Sequence, residues 1–485
     1  MGLLTLRGAL QPRVVLAAWL LLELLFQAAR VDFNSLRYDE AQAIVIGRDV
    51  LQGGPCPDCA QHTGSVYLHP VLAALAYDHL APVLGHWGGR AVSIALGLLL
   101  TAAVYGIGRL LFDSTIGVLA AVLLTLQAPM LYVAKVGLYD IVAATFLGLA
   151  AWSLALAKAK PAASGAALFM GGVALGVSGL SKFAAAVYLP VGIVLVLWQF
   201  GWRRWLAYFL PGLAIVLAGF AATEILPRLP VLEAMTESTV ALGRGGFSRG
   251  DIMDMLMRWL FWATLPALAG LADRPSRSTV AVLLLLALPQ PLIHLATGAE
   301  QGLHKNIVQS LLFLAPAAAV GVRKLLHDLL KIPGAIDLRP AGYGLLILLL
   351  GAGMVKNLQW LERQYPNTDP AVAFLLDHVR QDSVLLAEEG YIYHLYLGPR
   401  LPLERLYGTY YLEYRNATGT DALTRFVEDG VPDFIVLTSY GTPVQDAAIA
   451  EAAAGRYRLT LEYDGGVSWG TRMVQIYQRF DHVPR

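Results

Sequence analysis

The segment Arg37-Tyr38-Asp39-Glu40 sets two adjacent carboxylates shortly after the first long apolar run of the chain. A carboxylate held where water meets an apolar medium is partly desolvated. Desolvation raises its basicity and suits it to take a proton from a hydroxyl. The same pair also suits an ordinary helix start, where Asp caps and Glu favours the first turn. Residue types alone leave both readings open. Tyr67-Leu68-His69-Pro70 follows, and then Tyr132 to Asp140, which contains Lys135, Tyr139 and Asp140. Ser181-Lys182 and His304-Lys305-Asn306 each end an apolar run. Singly, such a cation is an interfacial anchor, with Lys135 snorkelling to the surface. Together, these segments bring acids and bases from separate parts of the chain to one depth. The glycine-rich stretch Gly243–Gly250 carries Arg244 and Arg249. That stretch has the composition of a mobile lid, and equally of a plain loop.

The two cysteines, Cys56 and Cys59, are spaced C-P-D-C. The spacing fits a redox pair, half a zinc site or a small disulfide loop. No second cysteine pair exists to complete a four-thiolate zinc site. With the loop outside the cytoplasm, a structural disulfide is the expectation.

The elements that position these residues are apolar. The chain of 485 residues is 56% hydrophobic and 15% charged, whereas soluble domains run to about 45–50% and about 25%. The bilayer must therefore solvate much of it. A net charge of +1 leaves no basic field for nucleic acid. Runs long enough to span lie near Val14–Ala29, Ala91–Leu111, Thr115–Ala134, Asp140–Ala157, Ala163–Leu180 and Phe183–Phe200, and continue at Trp205–Ile225, Leu256–Leu271, Thr279–Ala296, Ile307–Val322 and Tyr343–Val355. The expectation is about eleven transmembrane helices. Arg7 and Arg13 before the first run resemble a signal peptide, but the many runs that follow favour a retained span.

With the N-terminus in the cytoplasm, alternate connections hold Arg109, Lys158 and Lys160, Arg203 and Arg204, Arg274 and Arg277, and finally Arg323, Lys324, Lys331 and Arg339. Lys and Arg excess marks the cytoplasmic side, so the same parity sends the candidate chemistry outside. The expected organisation is a membrane domain over 1–360 with a large first outer loop at 30–90, followed by an extracytoplasmic α/β domain over 367–485. In that tail, Asp369-Pro370 opens a helix to about Arg380. Asp382–Ala387, Asp433–Thr438, Arg458–Tyr463 and Met473–Gln478 read as strands, and Asp421–Glu428 as a helix.

An Asp-Glu pair after the first span, a His-Pro later in the same loop and a Tyr-Asp at the second outer turn resemble the membrane glycosyltransferases of the GT-C superfamily. The nearest likeness is to the protein mannosyltransferase and aminoarabinose transferase branch. The likeness covers roughly 30–200 and, more loosely, His304-Lys305. It departs at His69, which a single proline follows where the family often has two. The resemblance implies inverting transfer of a monosaccharide from a polyprenyl-phosphate carrier to a hydroxyl acceptor on a lipid, glycan or protein. It implies that Asp39 is the general base, that Glu40 orients it, and that Asp140 positions the acceptor or holds a divalent cation, which some relatives use. Lys182, His304, Lys305 and Arg244 would then bind the donor phosphate. Tyr38, His69, Lys135 and Tyr139 would line the substrate pocket. No cofactor or metal ligand set is assigned. The expected setting is a bacterial plasma membrane, with membrane lipids and the lipid-phosphate sugar as partners. A transporter or lipid flippase is the alternative; it calls for ionisable groups near the midplane, where Glu23 is the one strong acid.

Overall fold

The computed structural model describes residues 11–53, 67–85, 87–226, 248–300, 302–330, 338–398, 400–409, 412–439, 443–467 and 472–481. Contacts divide the chain into two compact units. One comprises Met1–Arg30, Gly54–Leu72 and Arg90–Leu358, the other Val31–Gly53, Ala73–Gly89 and Gln359–Arg485.

The first unit is helical. Among the described residues eight helices are long and apolar enough to cross a membrane, or nine if the pair Ser114–Thr125 and Ala128–Lys135, bent by 73°, is one span. Each of the eleven runs read from the sequence overlaps a helix. The helix Pro12–Ala28 has 17 residues, at the short end of what spans. The stretch Ala184–Thr223 holds two of the runs in 40 residues. As one helix it would be about 60 Å long, twice the roughly 30 Å hydrocarbon core. Gly201 interrupts it with φ 78° and ψ 165°, a backbone state that a Cβ would resist.

Every residue from Val308 to Val322 is buried in the helix Val308–Leu330. Elsewhere close approach rests on small residues. A Cβ on Gly172 would stand 2.2 Å from the Phe209 carbonyl oxygen, and one on Gly212 2.2 Å from that of Phe169. The helices Ser164–Ser181 and Leu210–Phe220 thus meet backbone to backbone, the packing that lipid favours because apolar burial alone does not drive it there. Ser178 Oγ donates to the Ala143 carbonyl at 2.8 Å, tying the Tyr139–Ala159 helix to its neighbour.

The second unit is α/β. A five-stranded sheet has the order β2 (Leu406–Gly408), β1 (Leu385–Ala387), β5 (Phe434–Leu437), β7 (Met473–Arg479), β6 (Tyr457–Asp464). β1 runs parallel to β2 and β5, while β7 is antiparallel to both β5 and β6. A small antiparallel pair, β3 (Glu413–Tyr414) and β4 (Ala417–Thr418), stands apart. All four strands read from the sequence are present. The helix expected from Asp369 runs Asp369–His378, with the cap one residue earlier at Thr368. Thr368 gives its N–H and its hydroxyl to Ser35 Oγ at 3.0 and 3.2 Å.

Leu385 and Ala387 pack in one core with the helices Asp369–His378 and Gly390–Leu397. That core also takes Leu36, Ala41, Ala43, Ile44 and Val45, so the helix Tyr38–Gln52 of the first long loop shares it. Leu386 faces a second core with the helices Gly419–Glu428 and Pro443–Ala453. The alternation is the period-2 geometry of a strand.

Candidate active site

In the second unit, Tyr38, Asp39 and Glu40 form the first turn of the helix Tyr38–Gln52. Glu40 is buried and accepts the Arg37 backbone N–H at 3.0 Å, the reciprocal half of a capping box. Its carboxylate serves the helix end. Arg37 is buried too, and its Nη2 donates to the carbonyls of Leu361 and Glu362 at 3.1 and 3.2 Å. Its guanidinium lies 4.3 Å from the centre of the Tyr365 ring. Tyr38 meets Tyr391 edge to face at 5.0 Å. Asp39 is half-buried on this braced turn.

The sequence reading missed an acidic pair in the same unit. Glu388 and Glu389 follow β1 and are both buried. Glu388 accepts the Thr438 backbone N–H at 2.9 Å and the Thr438 hydroxyl, so it joins the ends of β1 and β5. Burial, then the charges of Glu388, Asp39 and Asp446, push the Glu389 carboxyl well above the usual range, and Arg37 opposes them. The available signal was two glutamates directly after the buried strand Leu385-Leu386-Ala387.

In the first unit, Asp140 lies in the first turn of the helix Tyr139–Ala159 and ion-pairs with Lys182. Lys182 adopts extended backbone (φ −159°, ψ 128°) between the helices Ser164–Ser181 and Phe183–Ala186. Its ammonium lies 5.6 Å from the Tyr139 ring centre. A Cβ on Gly302 would stand 4.0 Å from Lys182 Nζ, so the turn that opens the helix Leu303–Asn306 lies beside the ion pair. His304 meets Tyr132 edge to face at 5.4 Å, and Lys305 is half-buried. The structure thus brings Tyr139, Asp140, Lys182 and the His304-Lys305 turn together.

Lys135 corrects the snorkelling expectation. It is 1% exposed, at the end of the short helix Ala128–Lys135, whose eight residues are all buried. His69 is buried in the first turn of the helix Leu68–Leu84. Arg249 opens the helix Arg249–Ala269, capped by Ser248 Oγ. Arg244, Cys56 and Cys59 lie outside the described residues, and with them the lid and disulfide expectations. Among the described residues no group of three His, Cys, Asp or Glu side chains could hold a metal ion.

A polar network supports the Gly302–Asn306 turn. His294 Nδ1 lies 2.6 Å from the Ala299 carbonyl oxygen, and Asn306 Nδ2 lies 3.0 Å from His294 Nε2. Gln290 Nε2 donates to the Ala184 carbonyl at 2.5 Å and to Gln309 Oε1 at 2.6 Å. Gln290 and His294 went unread in the sequence, although polar groups inside an apolar run are the signal for such a site.

Residues 69–225 match the family model for dolichyl-phosphate-mannose-protein mannosyltransferases. No relative among curated proteins matches the chain. Among solved structures, ArnT from Cupriavidus metallidurans in the apo state superposes with a TM-score of 0.66 at 14% identity, covering 98% of this chain and 99% of that one. The same protein bound to undecaprenyl phosphate gives 0.64 at 15% identity over 98% and 99%. The archaeal oligosaccharyltransferase AglB from Archaeoglobus fulgidus, in complex with an inhibitory peptide and a dolichol-phosphate, gives 0.53 at 15% identity over 94% and 74%. The fold is that of the GT-C membrane glycosyltransferases. The chain is an integral membrane protein of that architecture, with the mannosyltransferase likeness lying in the segment that carries His69, Lys135, Tyr139, Asp140 and Lys182.

Proposed function

We propose that this chain transfers a monosaccharide, a hexose or pentose, from a polyprenyl-phosphate carrier to a hydroxyl acceptor with inversion at the anomeric carbon. The observation that carries the reading is the buried Asp140–Lys182 pair beside Tyr139 and the His304-Lys305 turn. A few cations placed in an otherwise apolar unit match a single lipid phosphate. The undecaprenyl phosphate and dolichol-phosphate of the ArnT and AglB complexes are ligands of that class. In the reaction, the acceptor oxygen forms a bond to the anomeric carbon and its proton passes to Asp39. The bond from that carbon to the phosphate oxygen breaks, with its electron pair leaving on the phosphate. Lys182, His304 and Lys305 stabilise the charge that grows there. Asp140 holds Lys182 in place, His69, Lys135 and Tyr139 shape the pocket in the first unit, and Tyr38 stands next to Asp39 in the second.

The test is transfer by purified protein supplied with undecaprenyl-phosphate monosaccharides, with and without chelator. Transfer without added metal is expected, and Lys305→Ala raises KM for the donor more than KM for the acceptor. Activity confined to lipid diphosphates, or abolished by chelator, refutes the donor assignment.

The charge parity of the connections supports an extracytoplasmic side for this chemistry and for the α/β unit, and the Ala-Leu-Gly bias of the chain fits a bacterial plasma membrane. With Cys56 and Cys59 replaced by serine, single cysteines at the exposed positions Arg204 and Arg277 resist a membrane-impermeant thiol reagent in intact cells. One at exposed Thr418 reacts. The reverse labelling pattern inverts the topology.

A further inference from the structure

The hydrogen-bonding of His294 dictates how the Asn306 amide is turned. Nδ1 lies 2.6 Å from a backbone carbonyl oxygen, that of Ala299, which can only accept. Nδ1 must therefore carry the proton, and in a neutral ring Nε2 is left as the acceptor. The Asn306 partner 3.0 Å away must then be its NH2 group, so the amide oxygen faces away from the ring. That oxygen is buried and has no hydrogen-bond partner among the described residues, although Asn306 is only 7% exposed. A buried amide oxygen left without a donor costs about 1–3 kcal/mol, and a ligand hydroxyl that donates to it offsets that cost.

Its surroundings indicate which ligand. Asn306 and Lys182 both border the space beside Gly302. A Cβ built there would lie 3.8 Å from Asn306 Nδ2 and 4.0 Å from Lys182 Nζ, and Gly302 has φ 72°, where a side chain is strained. Asp140, which ion-pairs with Lys182, adds a second buried oxygen, Oδ2, without a hydrogen-bond partner among the described residues. A cation next to unpartnered acceptors does not fit a bare phosphate, whose oxygens only accept at neutral pH. It fits a phosphate that carries hydroxyl groups.

We infer that the region where the Asn306 amide, beside Gly302, meets the Asp140–Lys182 pair is the sugar subsite of the lipid-phosphate donor, and that Asn306 Oδ1 accepts a hydrogen bond from a sugar hydroxyl there. His294 is the positioning residue that holds the amide in this sense. The inference rests on the reading of Lys182 as a phosphate-side cation.

The experiment measures binding, not turnover. The full chain in detergent is titrated with undecaprenyl phosphate and with undecaprenyl phosphate mannose and glucose, followed by native mass spectrometry. Asn306→Leu weakens the tighter of the two glycolipids about tenfold, the loss of one hydrogen bond in a buried site, and leaves undecaprenyl phosphate unchanged. Asn306→Asp keeps an acceptor at that position, with His294 taking up a second proton so that Nε2 donates to the new carboxylate, and retains selectivity for the glycolipid. His294→Ala shows the same selective loss as Asn306→Leu in smaller measure. Equal loss of all three lipids in Asn306→Leu, or no loss of the glycolipid, overturns the inference while leaving the donor reading standing. Should wild type bind none of the three, the donor reading falls and this inference with it. Should Asn306→Leu fail to fold, Asn306→Asp decides: loss of glycolipid selectivity there overturns the assignment, and its retention together with the His294→Ala loss sustains it.

Discussion

Asp39→Asn lowers turnover by about 10²–10⁴, the usual contribution of a general base, and leaves the fold and donor binding intact. The substitution removes one charge and almost no volume. The helix start does not depend on Asp39, because the Arg37 N–H is capped by Glu40 and the turn is braced by the bonds from Arg37 to Leu361 and Glu362. Stability therefore stays close to wild type while the proton acceptor is gone. Asp39 is half-buried in the first turn of the helix Tyr38–Gln52. Transfer rates and unfolding midpoints measured on the same preparations separate the two effects. Near-normal turnover in the variant would return Asp39 to a helix-start role.

Lys182→Met destabilises the protein by about 3–5 kcal/mol, the cost of stranding one member of a buried ion pair. The Asp140 side chain is 3% exposed and that of Lys182 14%, so water cannot solvate the carboxylate left behind. The double variant Asp140→Asn/Lys182→Met recovers most of that loss, since no uncompensated charge remains. Donor binding, by contrast, is expected to stay impaired in both, because the ammonium is absent from both. Chemical unfolding in mild detergent and lipid titration provide the two readouts. Additive losses in the double variant would show that the pair contributes nothing as a pair. Normal donor affinity in the double variant would take Lys182 out of the phosphate site.

Much of this was legible in the chain itself. Hydrophobic runs set the helices, because spanning lipid demands length and apolarity together. Apolar runs at Asp382–Ala387 and Asp433–Thr438 and alternation in Arg458–Tyr463 and Met473–Gln478 marked the α/β sheet. Asp39, Asp140, Lys182 and His304-Lys305 stood out because charged groups beside apolar runs are costly unless used.

The chain alone determined which residues were available for chemistry, since residue type and apolar context are local properties. Pairing is not local, and only the tertiary structure decided it. The ion pair joins Asp140 to Lys182 across 42 positions, and the Arg37 guanidinium reaches carbonyls more than 300 positions away. The sequence left Lys135 open to a surface anchor or a pocket position, and folding buries it to 1% exposure. The sequence left Glu40 open to a helix start or to catalytic support, and only the fold showed its carboxylate on the Arg37 N–H. The unpartnered oxygen of Asn306 could not be read at all, because it depends on which nitrogen of His294 faces the Ala299 carbonyl. Hydrogen-bond direction is a property of neighbours brought together by folding, and no spacing along the chain encodes it.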